Sequence, residues 1–313
     1  MKIRLLLTGA GAPGFYGIYT CLKDQFEIYT ADADPLASGR FLNLPFKAIP
    51  KAKETGFIES VLDLCEEWGI QALLTFVTAE LETIAKFKAS FASKGISLFL
   101  PNEDQLRISN NKYLLYESLQ NNHIGTPDFV ACNDKDSLLR AIDAIKPISG
   151  KRVFKPAVSN GSRGLRILHE GPRKTNALFE EKPGSADIHA LDFLGLLPEK
   201  FPLSIVTEYL PGAEYSVDMI CNEGTALLSL PRERLKTRGG ISVQCRADFR
   251  KDIIAYCENI VSVLKLHGFI GIQLKLRENG EPVIIEINPR LQGGTSMWST
   301  LGINVPLMGM NLY

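Results

Sequence analysis

Residues 283–294 read VIIEINPRLQGG, and this stretch decides the fold. A carboxylate, an amide and a guanidinium (Glu286, Asn288, Arg290) alternate with Ile287 and Pro289. On a strand, alternation puts the three polar groups on one face and the apolar residues on the other. Such a face is a poor core, so it is expected to hold something. Upstream, GIQLKLRENGEPVIIEINPR (271–290) reads as a β-hairpin with Asn279-Gly280 at its turn. Gln273 precedes Asn279 by six residues and Glu286 follows Gly280 by six, so a two-residue turn sets them nearly opposite each other. Gln273, Glu286 and Asn288 offer three oxygen ligands with one carboxylate. That set suits a hard cation that keeps waters and shares phosphate oxygens, Mg2+ and not zinc. Arg290 continues the face and suits an anionic substrate or a transferring phosphoryl group. The plainer alternative is a structural Glu286–Arg290 ion pair on an exposed sheet face.

Three segments further upstream have the chemistry of anion sites. KRVFKPAVSNGSRGLRIL (151–168) reads as strand, polar glycine loop, strand. Lys155 sits on the first strand, and the loop holds Ser159, Asn160, Gly161, Ser162, Arg163 and Gly164. Backbone N–H groups of such a loop can close over phosphates, and a lysine can neutralise one as a point charge. The pattern is not a Walker A loop, and a hydrophilic hairpin loop is the alternative. TEYLPGAEYSVD (207–218) sets Glu208 and Glu214 around a Pro-Gly turn, placed to meet an adenine amino group or ribose hydroxyls, or else to line a solvated edge. LPRERLKTRGGISVQC (230–245) carries Arg232, Arg234, Lys236 and Arg238, with Arg246 just after. It reads either as a contact for an anionic acceptor or as a solvated basic surface.

The first third alternates strands and helices: strands at 3–9, 27–34, 71–77 and 96–101, helices near 14–24, 56–69 and 81–95. This order means an open parallel sheet covered by helices. GAGAPG (9–14) follows the first strand and Asp32 ends the second, as in a dinucleotide fold, but the match to G-x-G-x-x-G is incomplete. A tight strand-to-helix turn needs glycine anyway. A helix is expected to run to about 122, and another over 252–268, closed by Gly268. Antiparallel hairpins fill the latter two thirds, so the fold class is α/β joined to α+β. Residues 170–200 mix Pro, Gly and charge and read as a mobile insertion with one short helix.

Composition excludes several classes. The chain has 313 residues, 45% hydrophobic and 22% charged, with Lys+Arg and Asp+Glu both 35. No net field is there to draw nucleic acid. Cys21, Cys65, Cys132, Cys221, Cys245 and Cys257 contain no C-x-x-C pair, against a zinc site or a disulfide framework. No apolar run is long enough to span a bilayer. A cytoplasmic protein is expected, with a homodimer as the default assembly.

The order of parts (Lys112 on a helix, Lys155 before a glycine loop, E-Y-L-P-G-x-E, then Q…E-I-N-P-R) resembles the ATP-grasp superfamily. The likeness is to the halves of the carbamoyl-phosphate synthase large subunit and to biotin carboxylase-like ligases, and it covers the whole chain. It implies a Rossmann-like pre-ATP-grasp domain (1–105), a small lid subdomain (106–205) and a large subdomain with the metal site (206–313). It further implies that Lys112, Lys155, Ser159, Gly161, Ser162 and Gly164 serve the ATP phosphates, with 158–164 as a lid. Glu208, Tyr209 and Leu210 would line the adenine pocket, and Glu214 would take the ribose. Gln273, Glu286 and Asn288 would hold Mg2+, with Mn2+ able to substitute. Lys155 and Arg290 would be catalytic, and Arg238, Arg246 and Arg290 would face the substrate.

The same resemblance demotes GAGAPG and Asp32 to structural or substrate-side roles. The implied reaction activates a small carboxylate as an acyl phosphate and passes it to an amine or other nucleophile. The alternatives are a subunit that makes only a carbonyl or acyl phosphate, a non-catalytic ATP-binding module and, on GAGAPG alone, a nicotinamide-dependent dehydrogenase. Tyr313 follows soon after the GGTS segment. The enzyme is therefore expected to be minimal, or the chain to be a piece of a longer one.

Overall fold

Leu5, Leu6 and Leu7 are fully buried, and they divide between two cores: Leu5 and Leu7 in one apolar layer, Leu6 in the other. Only a strand covered on both faces does this. In the computed structural model, which describes residues 2–159, 161–172, 186–238 and 240–312, that strand is the centre of a parallel sheet. Its strands are β1 (Ile3–Thr8), β2 (Phe26–Asp32), β3 (Phe46–Ala48), β4 (Ala72–Thr75) and β5 (Ser97–Leu98), in the order β3-β2-β1-β4-β5. Every pair runs parallel. Helices α1 (Phe15–Leu22), α2 (Phe57–Glu67), α3 (Thr78–Lys86) and α4 (Lys88–Ser93) connect them, and α5 (Glu103–Ser109) follows. The helix expected over 81–95 is thus two helices broken at Phe87. Gly69 (φ 61°) and Gly95 (φ 72°) end α2 and α4 as expected, with Ile70 N–H donating to Cys65 O and Ile96 N–H to Phe91 O.

The chain divides into two compact units. The first holds Met1–Arg107, Ser216–Ile272 and Ile287–Tyr313; the second holds Ile108–Tyr215 and Gln273–Glu286. The second is built on α6 (Lys112–Asn121), β6 (Phe129–Asp134), α7 (Lys135–Ala144), β7 (Lys151–Pro156), β8 (Arg166–His169), β9 (Asp187–His189), α8 (Ala190–Leu196) and β10 (Lys200–Glu208). Its sheet runs β6-β10-β7-β8-β9, antiparallel except for the β8–β9 pair. Helix α8 is the short helix expected within 170–200; residues 173–185 of that stretch lie outside the described residues. Neither β6 nor α7 was expected, although Asp134 and Ser137 form a reciprocal capping box at the start of α7.

A third sheet takes β11 (Glu214–Asn222), β12 (Thr225–Arg238), β13 (Ile241–Ala247), β14 (Gly268–Leu276) and β15 (Pro282–Asn288), ordered β13-β12-β11-β14-β15. Helix α9 (Lys251–Leu264) precedes β14, and α10 (Val305–Met310) comes last. Gly268 does not close α9. The helix ends at Lys265, itself left-handed (φ 52°), with Leu266 N–H donating to Val261 O, and Gly268 opens β14.

The β14–β15 turn also differs from a two-residue loop. Gly280 N–H donates to Arg277 O and Arg277 N–H to Glu281 O, with Gly280 at φ 85°. This is a three-residue loop closed by a left-handed glycine bulge, so at the turn Arg277, not Glu278, faces Glu281.

GAGAPG has a packing role within the first unit. A Cβ on Gly14 would lie 2.4 Å from the Gly293 backbone, so two glycine backbones meet where no side chain fits. Gly14 (φ 85°) and Gly56 (φ 87°) precede α1 and α2 in the same conformation, but a Cβ on Gly56 would meet nothing within 4 Å. Gly56→Ala should therefore cost about 1–2 kcal/mol of left-handed strain. Gly14→Ala should cost about 1–3 kcal/mol more, from overpacking. Urea unfolding of the two variants checks the difference.

Candidate functional site

Two lysines and a carboxylate meet in the second unit. Asn111 caps α6, its side chain accepting from the N–H groups of Tyr113 and Leu114, and this fixes the turn on which Lys112 begins. The Lys112 backbone N–H donates to Ala157 O at 2.8 Å. Its ammonium donates to Ser159 O at 3.0 Å and pairs with Glu286 at 3.5 Å. Lys155, on β7, is buried and donates to the Tyr116 hydroxyl at 2.7 Å. Burial pushes the Lys155 ammonium down to about 7; neighbouring Lys112 adds to this and Glu286 opposes it. The structure thus brings Lys112, Lys155 and Glu286 together.

The loop after β7 is shaped by strained and crowded backbone. Gly161, Ser162 and Gly164 all have positive φ, and a Cβ on Gly164 would fall 2.6 Å from Pro156 Cγ. Ser159 Oγ lies 3.5 Å from Pro156 O, and Leu165 N–H donates to Ser162 O. Gly161 and Ser162 are exposed. Asn160 lies outside the described residues.

The Glu208 carboxylate is occupied. It pairs with Arg277 at 2.6 Å and accepts the Asp128 N–H at 3.0 Å, while Arg277 also reaches Thr126 O and Glu281. Leu210 is buried, and Tyr209 has the ammonium groups of Lys151 and Lys275 each 5.5 Å from its ring centre. Burial pushes Lys275 down, and Glu214 acts against that. Gly212 lets the turn before Glu214 close on β14: its N–H donates to Leu276 O at 2.9 Å, and a Cβ there would fall 2.5 Å from that oxygen. Gln273 is half-buried between buried Ile272 and Leu274, the alternation expected of a strand.

In the first unit, β15 ends at Asn288, so Arg290 does not continue the strand. Pro289 has no N–H for the ladder, and the Arg290 N–H turns back to Asn288 O at 2.7 Å. Its guanidinium approaches Thr78 Oγ1 at 3.4 Å and donates to Leu291 O at 3.0 Å. Thr78 opens α3, whose Glu80 is buried and accepts from Thr8 at 2.5 Å and Thr75 at 2.6 Å. Burial pushes the Glu80 carboxyl up, against the pull of both hydroxyls. Asp32 is spent on backbone: its two oxygens accept the N–H groups of Gly11 and Asp34.

The basic segment 232–246 divides. Arg238 and Arg246 are exposed, and Arg246 pairs with Glu233. Arg232 and Arg234 are buried and share Ser242. Arg232 also pairs with Asp218 at 2.8 Å, and that carboxylate accepts from Gln292 (3.1 Å), Thr295 (2.6 Å) and Trp298 (3.0 Å) as well. The segment after Arg290 is therefore anchored on Asp218. The residues that sequence reasoning missed are the supports: Tyr116, Asp218 and Arg277. Tyr116 had a signal, four residues after Lys112 and so on the same helix face. Among the described residues no cluster of three His, Cys, Asp or Glu side chains could hold a metal. No helix there is long and apolar enough to cross a membrane.

Residues 200–313 match the family described as ATP-grasp in the biosynthetic pathway with Ter operon, and residues 5–99 match the PylC-like N-terminal domain. With the sheets described above, these matches give the chain the ATP-grasp fold. Solved structures agree on the fold. An L-amino acid ligase from Bacillus licheniformis aligns at TM-score 0.66 and 15% identity, over 99% of this chain and 73% of its own. A biotin carboxylase–β-γ-ATP complex from Campylobacter jejuni aligns at TM-score 0.71 and 15% identity, over 99% and 70%. An N5-carboxyaminoimidazole ribonucleotide synthetase from Thermotoga maritima aligns at TM-score 0.61 and 17% identity, over 93% and 69%.

The Asp218 network carries a measurable expectation. Asp218→Asn leaves the Arg232 guanidinium buried without a counter-charge, which should destabilise the fold by about 3–5 kcal/mol. Chemical denaturation of wild type and variant checks it; a loss under about 1 kcal/mol would mean that the pair behaves as an exposed one.

Proposed function

We propose that this protein is an ATP- and Mg2+-dependent ligase that activates a small-molecule carboxylate and joins it to an amine or another nucleophile. The observation that carries the reading is the Lys112–Glu286–Lys155 group. A buried ammonium that donates to a phenol, beside a second lysine paired with Glu286, is poised for an anion. A triphosphate supplies that charge. Its magnesium would be held by Glu286 and Asn288, two residues apart on one strand, with Gln273. One carboxylate and two amides leave room for water and phosphate oxygens, as magnesium requires. The ion, when bound, spreads the charge of the transferring phosphoryl group.

The residues then have separate tasks. Lys112 and Lys155 neutralise phosphate oxygens, and the 158–164 loop, with Ser159, Gly161, Ser162 and Gly164, closes over them. The backbone groups of Tyr209 and Leu210 read the purine edge. Glu214 takes the ribose hydroxyls. Glu208 acts by fixing that wall through Arg277, since its own oxygens are occupied. A substrate carboxylate oxygen attacks the γ-phosphorus, the bond to the β-phosphate oxygen breaks, and ADP leaves. The acyl phosphate is then attacked at carbon by the nucleophile, and phosphate leaves. Arg290 stabilises the charge that develops, and Arg238 and Arg246 favour an anionic substrate. The family likenesses and the ATP-bound biotin carboxylase with its shared fold support this reading.

Lys155 also sets the response to pH. It must be charged to hold phosphate, and without ligand its proton is lost near pH 7. Affinity for Mg–nucleotide should therefore fall as pH rises above about 7, by up to about ten-fold per unit. Thermal melting with Mg2+ and a non-hydrolysable ATP analogue tests the site. Wild type should melt higher with ligand. Glu286→Ala should lose most of that rise. Lys155→Met should also lose it, yet melt higher than wild type without ligand, because a buried ammonium is removed. An undiminished rise in both variants would rule out this site.

A further inference from the structure

Tyr116, β15 and Lys112 form a closed circuit, and Lys155 is attached to it at Tyr116. Lys155 Nζ donates to the Tyr116 hydroxyl at 2.7 Å, and that hydroxyl donates to Ile285 O at 2.7 Å. Ile285 adjoins Glu286, and Glu286 pairs with Lys112, one helical turn before Tyr116 on α6. The charged groups around Lys155 are Lys112 from α6 and Glu286 from β15; the residue opposite it on β10 is Ile205. Nζ also lies 5.1 Å from the Tyr116 ring centre, within range of its π face.

We propose that Tyr116 is a positioning residue: its hydroxyl holds the Lys155 ammonium so that the two remaining N–H donors face the incoming phosphates. The inference rests on the ATP-binding reading given above. An ammonium has three donors and turns freely about its terminal bond. Fixing one donor confines the other two to a narrow cone. The holder is itself fixed, because Tyr116 is fully buried and its hydroxyl is tied to the strand that carries Glu286. A rigid ring thus sets the separation between the lysine and that strand. A core tyrosine needing only to satisfy its hydroxyl would require the Ile285 carbonyl and nothing more. The bond accepted from Lys155 is additional, and it acts on the one buried cation in the group without an acid of its own.

Tyr116→Phe removes the hydroxyl and keeps the ring. Two measurements on that variant decide the matter. The first uses ligand-free protein with lysines labelled at Cε and Nζ, the Lys155 resonance being assigned by its loss in Lys155→Arg. The second is calorimetric titration with Mg2+ and a non-hydrolysable ATP analogue. A hydrogen bond to a charged group implies a loss of affinity of about ten-fold or more.

The expected result is a displaced Lys155 resonance together with that loss. Weaker binding with an unmoved resonance would overturn the proposal, since the effect would then run through the core. A displaced resonance with unchanged affinity would overturn it too, because the contact would direct nothing. If wild type binds no analogue, the ATP reading itself fails. The resonance in ligand-free protein then decides separately whether Tyr116 holds Lys155 for whatever anion the site takes.

Discussion

The first unit depends on one buried carboxylate. Asp218 is 2% exposed and accepts from a guanidinium, an amide, a hydroxyl and an indole. Three of those four donors, Gln292, Thr295 and Trp298, come from the segment that follows Arg290. That segment has little regular structure: a short 3-10 turn over Thr295–Leu301, preceded by two glycines. Without regular hydrogen bonding of its own, its path must be set from outside. Asp218 supplies that on one side, and the backbone contact between Gly14 and Gly293 supplies it on the other. The N-terminal glycine loop therefore supports the C-terminal loop, and the two glycine-rich motifs are halves of one packing contact.

Asp218 and Lys155 are both buried charges, and the contrast between them separates scaffold from site. A buried charge is tolerated when its partners replace water. Around Asp218 they do so completely, so that group has nothing left to bind. Around Lys155 they do not. A phenol accepts one donor, the nearest lysine repels, and Glu286 is engaged with Lys112. The fold carries this cost at rest and, on the proposed ATP-binding reading, recovers it when phosphate binds. On the proposed reading stability and binding oppose each other at Lys155, whereas Asp218 serves stability alone.

The sequence was most legible where one residue type had one use. The continuous apolar run in IRLLLTG and the glycines after α2 and α4 led directly to a parallel α/β layer, because buried strands and left-handed caps admit few alternatives. Lys155 and Glu286 stood out as charges within otherwise apolar strands, and Lys112 entered only through the resemblance of the order of parts to a known family. Reading failed where a residue took an unusual backbone state. Lys265 (φ 52°) ends a helix that glycine would ordinarily end, so α9 closes three residues before the expected Gly268. The turn at Asn279-Gly280 failed for a related reason: the dipeptide suits both a two-residue turn and a glycine bulge, and only the pairing of Arg277 with Glu281 separates them.

Supports were harder to read than ligands, and the reason is chemical. A group that meets phosphate or magnesium must carry charge or a strong oxygen donor, so its residue type is restricted. A group that orients such a residue needs one hydrogen bond in the right place. A tyrosine hydroxyl, a threonine or a backbone carbonyl will do, and these occur throughout any sequence. Glu208 illustrates the overlap. Its position beside the Pro-Gly turn suits direct contact with a nucleotide, yet Arg277 and the Asp128 amide take up its oxygens. On the proposed reading, its effect on a nucleotide passes through the wall it braces. Arg277 would not draw notice in a sequence, since it sits at a solvent-facing hairpin turn where arginine is ordinary. What gives it importance is the three-residue loop, which turns Arg277 across to Glu281 and leaves its guanidinium free to reach Glu208 and Thr126. The bulge that misled the reading of the hairpin is therefore the same feature that assembles this wall.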